Sequence, residues 1–161
     1  MKFCPQCKSD INEDELDGAV RLICSSTQCD YIYWNNPIPV IAGIVELDGK
    51  FVMAHNVTWP KGMFSVITGF LEQREDPAEC IVRETKEELG LDVYEQKLVG
   101  VYGFDRMNQV IIAYHVKAKG KIVLNEELDD YKLVELNELK PWPFGTGLAI
   151  KDFLIMNNVE V

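Results

Sequence analysis

The sequence predicts an α+β protein in which strands, a helix, further strands and a closing helix follow a small cysteine-rich module. Three observations predict it: segments typical of strands on both sides of a well-capped helix, two cysteine pairs near the N-terminus, and a length of 161 residues with 47% hydrophobic residues. A chain of this size and composition can bury one substantial core. We therefore expect one main domain with a small appendage.

Four cysteines form two pairs in the first thirty residues. Cys4 and Cys7 are separated by two residues, Cys24 and Cys29 by four, and sixteen residues lie between the pairs. This spacing is typical of a tetrahedral Cys4 zinc ribbon, although the second pair is wider than usual. Two disulfides or four reduced thiols are the alternatives, but disulfides fit an intracellular chain poorly and thiols need no paired spacing. We predict a structural Zn²⁺, since four thiolates leave no open position for catalysis.

A linker, Asn35-Asn36-Pro37, sets the predicted boundary between the zinc ribbon, residues 1–34, and a second domain, residues 35–161. In the second domain, Asp48-Gly49 lies between two apolar segments and predicts a tight hairpin. Further apolar segments lie on both sides of the predicted helix. The predicted strands are residues 38–46, 51–55, 64–67, 97–102, 109–117 and 131–135.

The central helix is predicted from residue 77 to residue 89. Asp76 is a suitable N-cap, Pro77 fits the first helical position, and Glu79 completes a capping box. Gly90 is a natural left-handed stop. These local signals fix both ends of the helix.

A closing helix is predicted after residue 145, with Thr146 as its N-cap. Its apolar residues recur at helical spacing, which indicates a face packed on the core. These core residues are Leu148, Ala149, Phe153 and Leu154.

One arc of the central helix is acidic. At about 100° per residue, Arg83, Glu84, Glu87 and Glu88 share this arc, while an apolar arc packs on the core. Like charges four residues apart cost about a few tenths of a kcal/mol, and a dication reverses that sign. This number of carboxylates suits Mg²⁺ or Mn²⁺, with substrate phosphates completing the coordination of the ion. The alternative is a solvated acidic face on which Arg83 bridges to Glu87. Cys80, one turn earlier, is interpreted as a small filler.

The wider spacing around this helix resembles the Nudix box at every fixed position except Thr85, where the family usually has an aliphatic residue. Because threonine is nearly isosteric with valine, we expect a small stability cost and no loss of chemistry. The matching positions are Gly69, Glu75, Arg83, Glu84, Glu87, Glu88, Gly90 and Leu91.

The resemblance extends beyond the box to the zinc-ribbon Nudix hydrolases, which include NADH pyrophosphatases and hydrolases of FAD and ADP-ribose. It rests on the cysteine pairs, on residues 33–40 and on residues 64–72. It implies a Nudix α/β/α sandwich with a mixed sheet. It also implies hydrolysis of a nucleoside diphosphate linked to another group, giving a nucleoside monophosphate and a phosphorylated product.

The resemblance also implies roles for individual residues. Arg83 would orient Glu87 through a charge-assisted hydrogen bond. The catalytic base is either Glu84 or a residue of a downstream loop, for which Glu126 and Glu127 are candidates; the alternative for those two is an acidic surface loop. The implied ligands of Mg²⁺ or Mn²⁺ are Glu84, Glu87, Glu88, the Gly69 carbonyl and Glu72.

Substrate-binding residues are predicted around the mouth of this site. Arg106 lies in a loop between two predicted strands and could contact phosphate or ribose. Phe64 and Tyr102 could stack on a nucleobase. For each aromatic residue the alternative is an ordinary place in the core.

One segment, taken alone, would favour NADH as the substrate. Pro141-Trp-Pro-Phe144 matches the signature core of NADH pyrophosphatases, but it lies fifty residues after Leu91 instead of close behind the box. The segment that should carry the signature, residues 101–109, does not match. We interpret Trp142 and Phe144 as anchors of the closing helix. ADP-ribose or FAD is therefore favoured over NADH.

Partners follow from charge and from the resemblance. A net charge of −10 argues against broad nucleic-acid binding. We expect a nucleotide small-molecule substrate, no membrane contact and a cytoplasmic protein, because no apolar stretch has membrane-spanning length. The resemblance implies a homodimer. The alternatives are an NADH pyrophosphatase, an enzyme that removes NAD caps from RNA, and a non-catalytic nucleotide sensor, which would be expected to have a degraded box.

Overall fold

The computed structural model describes residues 1–160 and divides them into two compact units. The first unit is Met1–Asn36, and the second begins at Pro37. The first contains the four paired cysteines. The second contains the helix with the acidic arc.

The first unit is a small antiparallel sheet. Strand β1 (Ile11–Leu16) pairs with β2 (Ala19–Cys24), which pairs with β3 (Ile32–Tyr33). Asp17 and Gly18 join the first two strands with φ angles of 53° and 76°, which is the left-handed backbone of a two-residue hairpin. The cysteine pairs of this unit are evident in the sequence, but none of its three strands was predicted.

The second unit is built on a six-stranded mixed sheet with the order β7-β8-β4-β5-β9, in which β6 also pairs with β4. Only the β4–β8 pair is parallel; the other pairs are antiparallel. The strands are β4 (Ile38–Leu47), β5 (Lys50–Asn56), β6 (Ile67–Phe70), β7 (Asp92–Phe104), β8 (Gln109–Lys119) and β9 (Leu128–Val134).

The predicted hairpin is confirmed. Leu47 pairs with Lys50, and Asp48 and Gly49 form the turn with φ angles of 51° and 80°. The strand predicted at residues 64–67 is shifted, because pairing with β4 begins only at Ile67. Before that point, Ser65 makes an isolated bridge to β5. The partner strand, which the local sequence does not contain, sets this boundary.

The core lies on both faces of the sheet, and β4 supplies residues to each in alternation. Ile41 and Val45 belong to a cluster with helix α1 (Pro77–Leu89), whereas Ala42 and Ile44 belong to a cluster with helix α2 (Thr146–Met156). One helix therefore covers each face. The predicted α+β fold, a mixed sheet between two helices, is confirmed.

The ends of α1 agree with the local signals. The Asp76 carboxylate accepts a hydrogen bond from the amide of Ala78 at 2.8 Å, and Gly90 has a φ of 70° and donates to the carbonyl of Lys86. The reciprocal capping-box bond from Glu79 is absent among the hydrogen bonds of residues 1–160. The helix therefore begins on Asp76 alone.

The prediction of Thr146 as the N-cap of α2 is wrong. Thr146 is the first helical residue, and Gly145 occupies the cap position with a φ of 55°. The Thr146 hydroxyl instead contacts the hydroxyl of Ser65 at 3.4 Å. Within the described residues, no helix combines the length and the apolar character needed to cross a bilayer.

Thr85, the one departure from the box, is fully buried, and its hydroxyl donates to the carbonyl of Ile81 one turn earlier at 2.7 Å. Because the hydroxyl is satisfied within its own helix, the substitution leaves no unpaired polar group in the core. The departure is therefore compatible with close packing of α1.

We expect Thr85→Val to raise the free energy of unfolding by up to about 1 kcal/mol, because it keeps the shape and removes a buried hydroxyl. Thr85→Ala should lower it by about 1–2 kcal/mol through the cavity that it leaves. Thermal and urea unfolding followed by circular dichroism measure both. A valine variant as unstable as the alanine variant would contradict this account.

Candidate active site

The acidic arc of α1 is partly turned into the protein. Glu84 and Glu88 are only 9% and 7% exposed, whereas the Glu87 side chain is 56% exposed. Glu84 lies directly against Gly69 of β6: a Cβ at residue 69 would be 1.9 Å from the Glu84 carboxyl carbon. Only glycine therefore leaves room for this carboxylate. This burial was not predicted, because helical periodicity does not show where β6 lies against the helix.

Arg83 holds the acidic side chains together. Its guanidinium donates to both carboxylate oxygens of Glu75 at 2.7 and 3.0 Å, to Glu84 at 2.8 Å and to Glu87 at 2.9 Å. It also donates to the carbonyl of Phe70 at 3.3 Å. The Arg83 guanidinium lowers the pKa of Glu75 to about 2. The predicted hydrogen bond from Arg83 to Glu87 is present. Glu75 is nevertheless the principal partner of Arg83. In the sequence, only the fixed place of Glu75 in the box spacing indicated a role for it.

Glu88 has no such counter-ion. Among residues 1–160, no hydrogen bond or ion pair reaches its carboxylate. Burial first, and then the charges of Glu84, Glu127 and Glu87, raise the pKa of Glu88 to about 8. Burial likewise raises the pKa of Glu84, although Arg83 opposes the shift. Glu88 is thus a largely buried residue whose carboxyl lines a cavity without a protein cation, and this arrangement fits a divalent metal ion.

The three glutamates do not form a closed ligand set in the described chain. Glu84 and Glu87 are turned toward Arg83, and their oxygens do not gather with Glu88 as closely as the cysteine sulfurs of the first unit do, all within 4.8 Å of one another. A bound cation would share Glu84 and Glu87 with Arg83, which occupies one oxygen of each. Glu88 has no such partner.

Glu127 reaches Glu88 because the segment before β9 is bonded to the end of α1. The amides of Val123 and Asn125 donate to the carbonyls of Leu89 and Glu88 at 2.9 and 3.3 Å. Glu127 and Glu88 then line one cavity of about 50 Å³, together with Trp59 from the loop between β5 and β6 and with residues of these two strands. The other loop candidate, Glu126, is exposed and does not line this cavity.

Glu72 is exposed, and its backbone amide donates to Glu75 at 3.1 Å. No contact in the described residues brings its carboxylate to Glu84 or Glu88. Gly69 is at the site, as stated above, through its contact with Glu84. Of the two additional ligand candidates, Gly69 thus lies against Glu84, whereas Glu72 contacts neither Glu84 nor Glu88.

The three predicted substrate-binding residues lie in different places. Phe64 lines a second cavity of about 500 Å³, and the Lys132 ammonium lies 3.8 Å from the centre of its ring. Tyr102 packs on the α2 side of the sheet and donates to Asp152 at 2.8 Å. Arg106 lies over the ring of Phe144 at 5.3 Å. Neither Tyr102 nor Arg106 lines either of these cavities.

The Pro-Trp-Pro-Phe segment lies immediately before α2. The backbone and ring of Trp142 are so close to Gly147 that a Cβ there would lie 2.2 Å from the Trp142 carbonyl oxygen. Phe144 stacks on Phe104 with ring centres 6.0 Å apart. Both aromatic residues thus contact α2 or the sheet beneath it, as expected of anchors for the closing helix.

The four cysteines of the first unit converge on one point. The sulfurs of Cys4 and Cys29 are 3.7 Å apart, those of Cys7 and Cys24 are 3.3 Å apart, and all four cysteines are free thiols. Bonds of about 2.3 Å to a tetrahedral metal place thiolates about 3.8 Å apart. Hydrogen bonds from Ser9 lower the pKa of Cys7 to about 6, whereas burial and the neighbouring cysteine sulfurs raise the pKa of Cys24 and Cys29, so Cys7 is the first of these three to become a thiolate. The arrangement fits one tetrahedral ion and no disulfide.

Comparison with known proteins agrees with this geometry. A model of the NUDIX domain matches residues 37–153. The NAD-capped RNA hydrolase NudC of Vibrio atlanticus is 30% identical over 165 residues, covering 99% of this chain and 58% of that protein. NudC of Pseudomonas putida is 25% identical, covering 92% of this chain and 53% of that protein. The chain therefore spans little more than half the length of these curated relatives.

A solved structure supports the fold. The crystal structure of a NUDIX hydrolase from Nitrosomonas europaea superposes with a TM-score of 0.78 at 23% sequence identity. The match covers 100% of this chain and 96% of that one. At this identity the likeness concerns the fold alone.

The burial of Glu88 makes stability dependent on pH and metal. In protein free of Mg²⁺ and Mn²⁺, the folded state keeps a proton on Glu88 that the unfolded state loses between the ordinary pKa of 4.5 and about 8. Stability therefore falls as pH rises through this window. We expect Glu88→Gln to be more thermostable than the wild type at pH 8 and nearly equal at pH 5.

Differential scanning fluorimetry with one equivalent of Zn²⁺ and no other divalent ion measures this difference. Saturating Mg²⁺ or Mn²⁺ should raise the melting temperature of the wild type and leave the variant almost unchanged. Glu79→Gln, on the exposed face of the same helix, is the control. A glutamine variant less stable than the wild type at pH 8 without metal would refute the assignment of an uncompensated buried charge.

Proposed function

Because this chain belongs to the Nudix family, we propose that it hydrolyses the diphosphate of a nucleoside diphosphate linked to a second group. Water attacks one phosphorus, and the bond to the bridging oxygen breaks. The products are a nucleoside monophosphate such as AMP and a phosphorylated second product. The observation that carries the proposal is Glu88, a buried carboxylate without a protein counter-ion, facing Glu127 across a small cavity.

The proposed metal site takes Mg²⁺ or Mn²⁺ on Glu84, Glu87 and Glu88, with the Gly69 carbonyl and Glu72 as further candidate ligands. The bound ion would neutralise the diphosphate and lower the pKa of a coordinated water. The protein's part is to present the carboxylates. Arg83 restrains Glu84 and Glu87 through hydrogen bonds of 2.8 and 2.9 Å, so less conformational freedom is lost when the substrate binds.

Glu127 is the proposed proton acceptor. It is exposed at the mouth of the cavity that Glu88 lines, so its carboxylate can meet a water molecule on the substrate side. The proton of the attacking water passes to this carboxylate as the new oxygen–phosphorus bond forms. Glu84 is the alternative acceptor, but its bond to Arg83 already uses one of its oxygens.

ADP-ribose and FAD remain the preferred substrates in this proposal. The Pro-Trp-Pro-Phe segment contacts α2 and the sheet beneath it, and neither of its aromatic residues lines the cavity with Glu88. A second candidate is NAD(H), free or as the cap of an RNA, which the names of the two curated relatives favour. The net charge of −10 counts against the RNA form.

We expect Glu87→Gln and Glu88→Gln to reduce kcat at least about 1,000-fold while the protein stays folded, because each removes one anionic ligand of the metal. Glu79→Gln on the exposed face of α1 should retain wild-type activity. The assay offers ADP-ribose, FAD, NADH, diadenosine polyphosphates and NAD-capped RNA, each under Mg²⁺ and then Mn²⁺, with products resolved by chromatography.

The substrate panel distinguishes the two candidate substrate classes from each other and from a non-catalytic role. Turnover of ADP-ribose or FAD at a higher kcat/KM than NADH supports the first candidate, and the reverse order supports the second. Full activity of either glutamine variant would refute the metal assignment. No turnover of any compound, with tight nucleotide binding, would move the protein to the non-catalytic sensors.

For the first unit we propose one structural Zn²⁺ on Cys4, Cys7, Cys24 and Cys29. We expect native mass spectrometry and elemental analysis to find one zinc per chain in the wild type. Cys24→Ser should lose it, whereas Cys80→Ser should keep it, because Cys80 belongs to α1 and is buried in the core of the second unit. Zinc retained at full stoichiometry without Cys24 would contradict the four-cysteine site.

A further inference from the structure

A histidine beside the proposed active site has hydrogen-bond acceptors at both ring nitrogens. His55, at the end of β5, is 6% exposed. Its Nδ1 lies 2.5 Å from a carboxylate oxygen of Asp129, and its Nε2 lies 3.2 Å from the carbonyl oxygen of Pro60. A neutral imidazole carries one N–H and can satisfy one of these acceptors. Both bonds form together only when His55 is the imidazolium.

Asp129 occupies this place because of a β-bulge. His55 pairs with Asp130 and Asn56 pairs with Leu128, so Asp129 is the extra residue between two paired positions. A bulge of this kind redirects the side chains on either side of it, and a one-residue slip of the register would turn them to the opposite face. The face on which Glu127 lies therefore depends on the bulge at Asp129.

The same histidine is tied to the loop that joins β5 and β6, residues 57–66. The Pro60 carbonyl that contacts His55 also accepts from the amide of Met63 at 3.1 Å. At the start of the loop, the amide of Val57 donates to the carbonyl of Glu127 at 2.9 Å. Trp59, inside the loop, lines the cavity with Glu88 and Glu127. His55 thus joins the two segments that build this side of the cavity.

We propose that His55 is a positioning residue for the pyrophosphatase reaction: its imidazolium bridges Asp129 and Pro60, locks the bulge, and so holds Glu127 and the Trp59 loop beside Glu88. This inference rests on the proposed function, because it takes Glu127 as the proton acceptor. His55 itself touches neither metal ligands nor the cavity with Glu88.

The charges around His55 determine how its hydrogen bonds to Asp129 and Pro60 respond to pH. The hydrogen bond to Asp129 is the main cause that raises the pKa of His55, with smaller contributions from Pro60 and Asp130, and burial opposes them. Lys61 and Lys132 line the adjacent cavity of about 500 Å³ and are the cations on this side. Because the pKa of His55 is raised in the folded state, the imidazolium makes both hydrogen bonds at low pH and loses one of them as pH rises through that pKa.

The test compares His55→Gln and Asp129→Asn with a matched control, His115→Gln. His115 is the other histidine of the chain; it also bonds a carboxylate, Glu46, at 2.8 Å, but it packs on Phe153 of α2. We expect both test variants to lower kcat about 10-fold or more with KM changed less than about threefold. The control should stay within about twofold of the wild type.

The pH profile separates positioning from a general loss of stability. Asp129→Asn should move the alkaline decline of kcat to lower pH, because it removes the anion that holds the proton on His55. In His55→Gln the alkaline decline of kcat should be absent, because kcat is already low at every pH. Melting temperature and zinc content confirm folding, and Asp129→Asn carries the test if His55→Gln does not fold. Two test variants with the kcat and pH profile of the control would overturn the proposal.

A measurement without turnover keeps this proposal distinct from the proposed function. With two histidines in the chain, ¹⁵N imidazole spectra can be assigned by comparison with His115→Gln. We expect both ring nitrogens of His55 to stay protonated up to a pKa above the ordinary 6.5, and the Val57 amide to exchange faster in His55→Gln. If the wild type hydrolyses nothing, the proposed function fails, while these spectra still test the bridge from Asp129 to Pro60. A His55 that loses its proton at or below the ordinary pKa would overturn the proposal.

Discussion

The guanidinium of Arg83 is the group around which the acidic site is organised. It joins Glu75, from the segment before α1, to Glu84 and Glu87 of the helix and to the carbonyl of Phe70 at the end of β6. One cation thus fixes the helix against the sheet and offsets the repulsion among neighbouring carboxylates. The positions of Glu84 and Glu87 follow from this network, and the loop before α1 is held by it.

Glu88 is the carboxyl that this network leaves without a counter-ion. Ionising it costs stability in the folded chain, which is why its pKa is raised to about 8, and a divalent ion bound there would relieve that cost. The rest of the second unit supports this arrangement from both sides: Gly69 leaves space for the neighbouring Glu84, and the segment before β9 carries Glu127 to the same cavity. The cost of ionising Glu88 therefore depends on these segments as well as on α1.

Much of the fold could be predicted because its signals are local. Asp76 and Gly90 define the ends of α1 through their own backbone and side-chain preferences, and Asp48-Gly49 defines a hairpin turn in the same way. Predictions failed where a distant partner decides. The start of β6 depends on its pairing with β4, and Thr146 contacts Ser65, eighty-one residues earlier, instead of capping its helix.

The sequence by itself determined which chemical groups are available: the box spacing places carboxylates on one arc of α1, and the paired cysteines predict a metal site in the first unit. The tertiary structure alone decided which carboxylates are buried away from water and which are paired with Arg83. It buried Glu84 and Glu88, bonded Arg83 mainly to Glu75, and joined His55 to Asp129 across a bulge. The reason is physical: side-chain chemistry is a property of each residue, whereas desolvation and charge pairing depend on what distant segments bring to it.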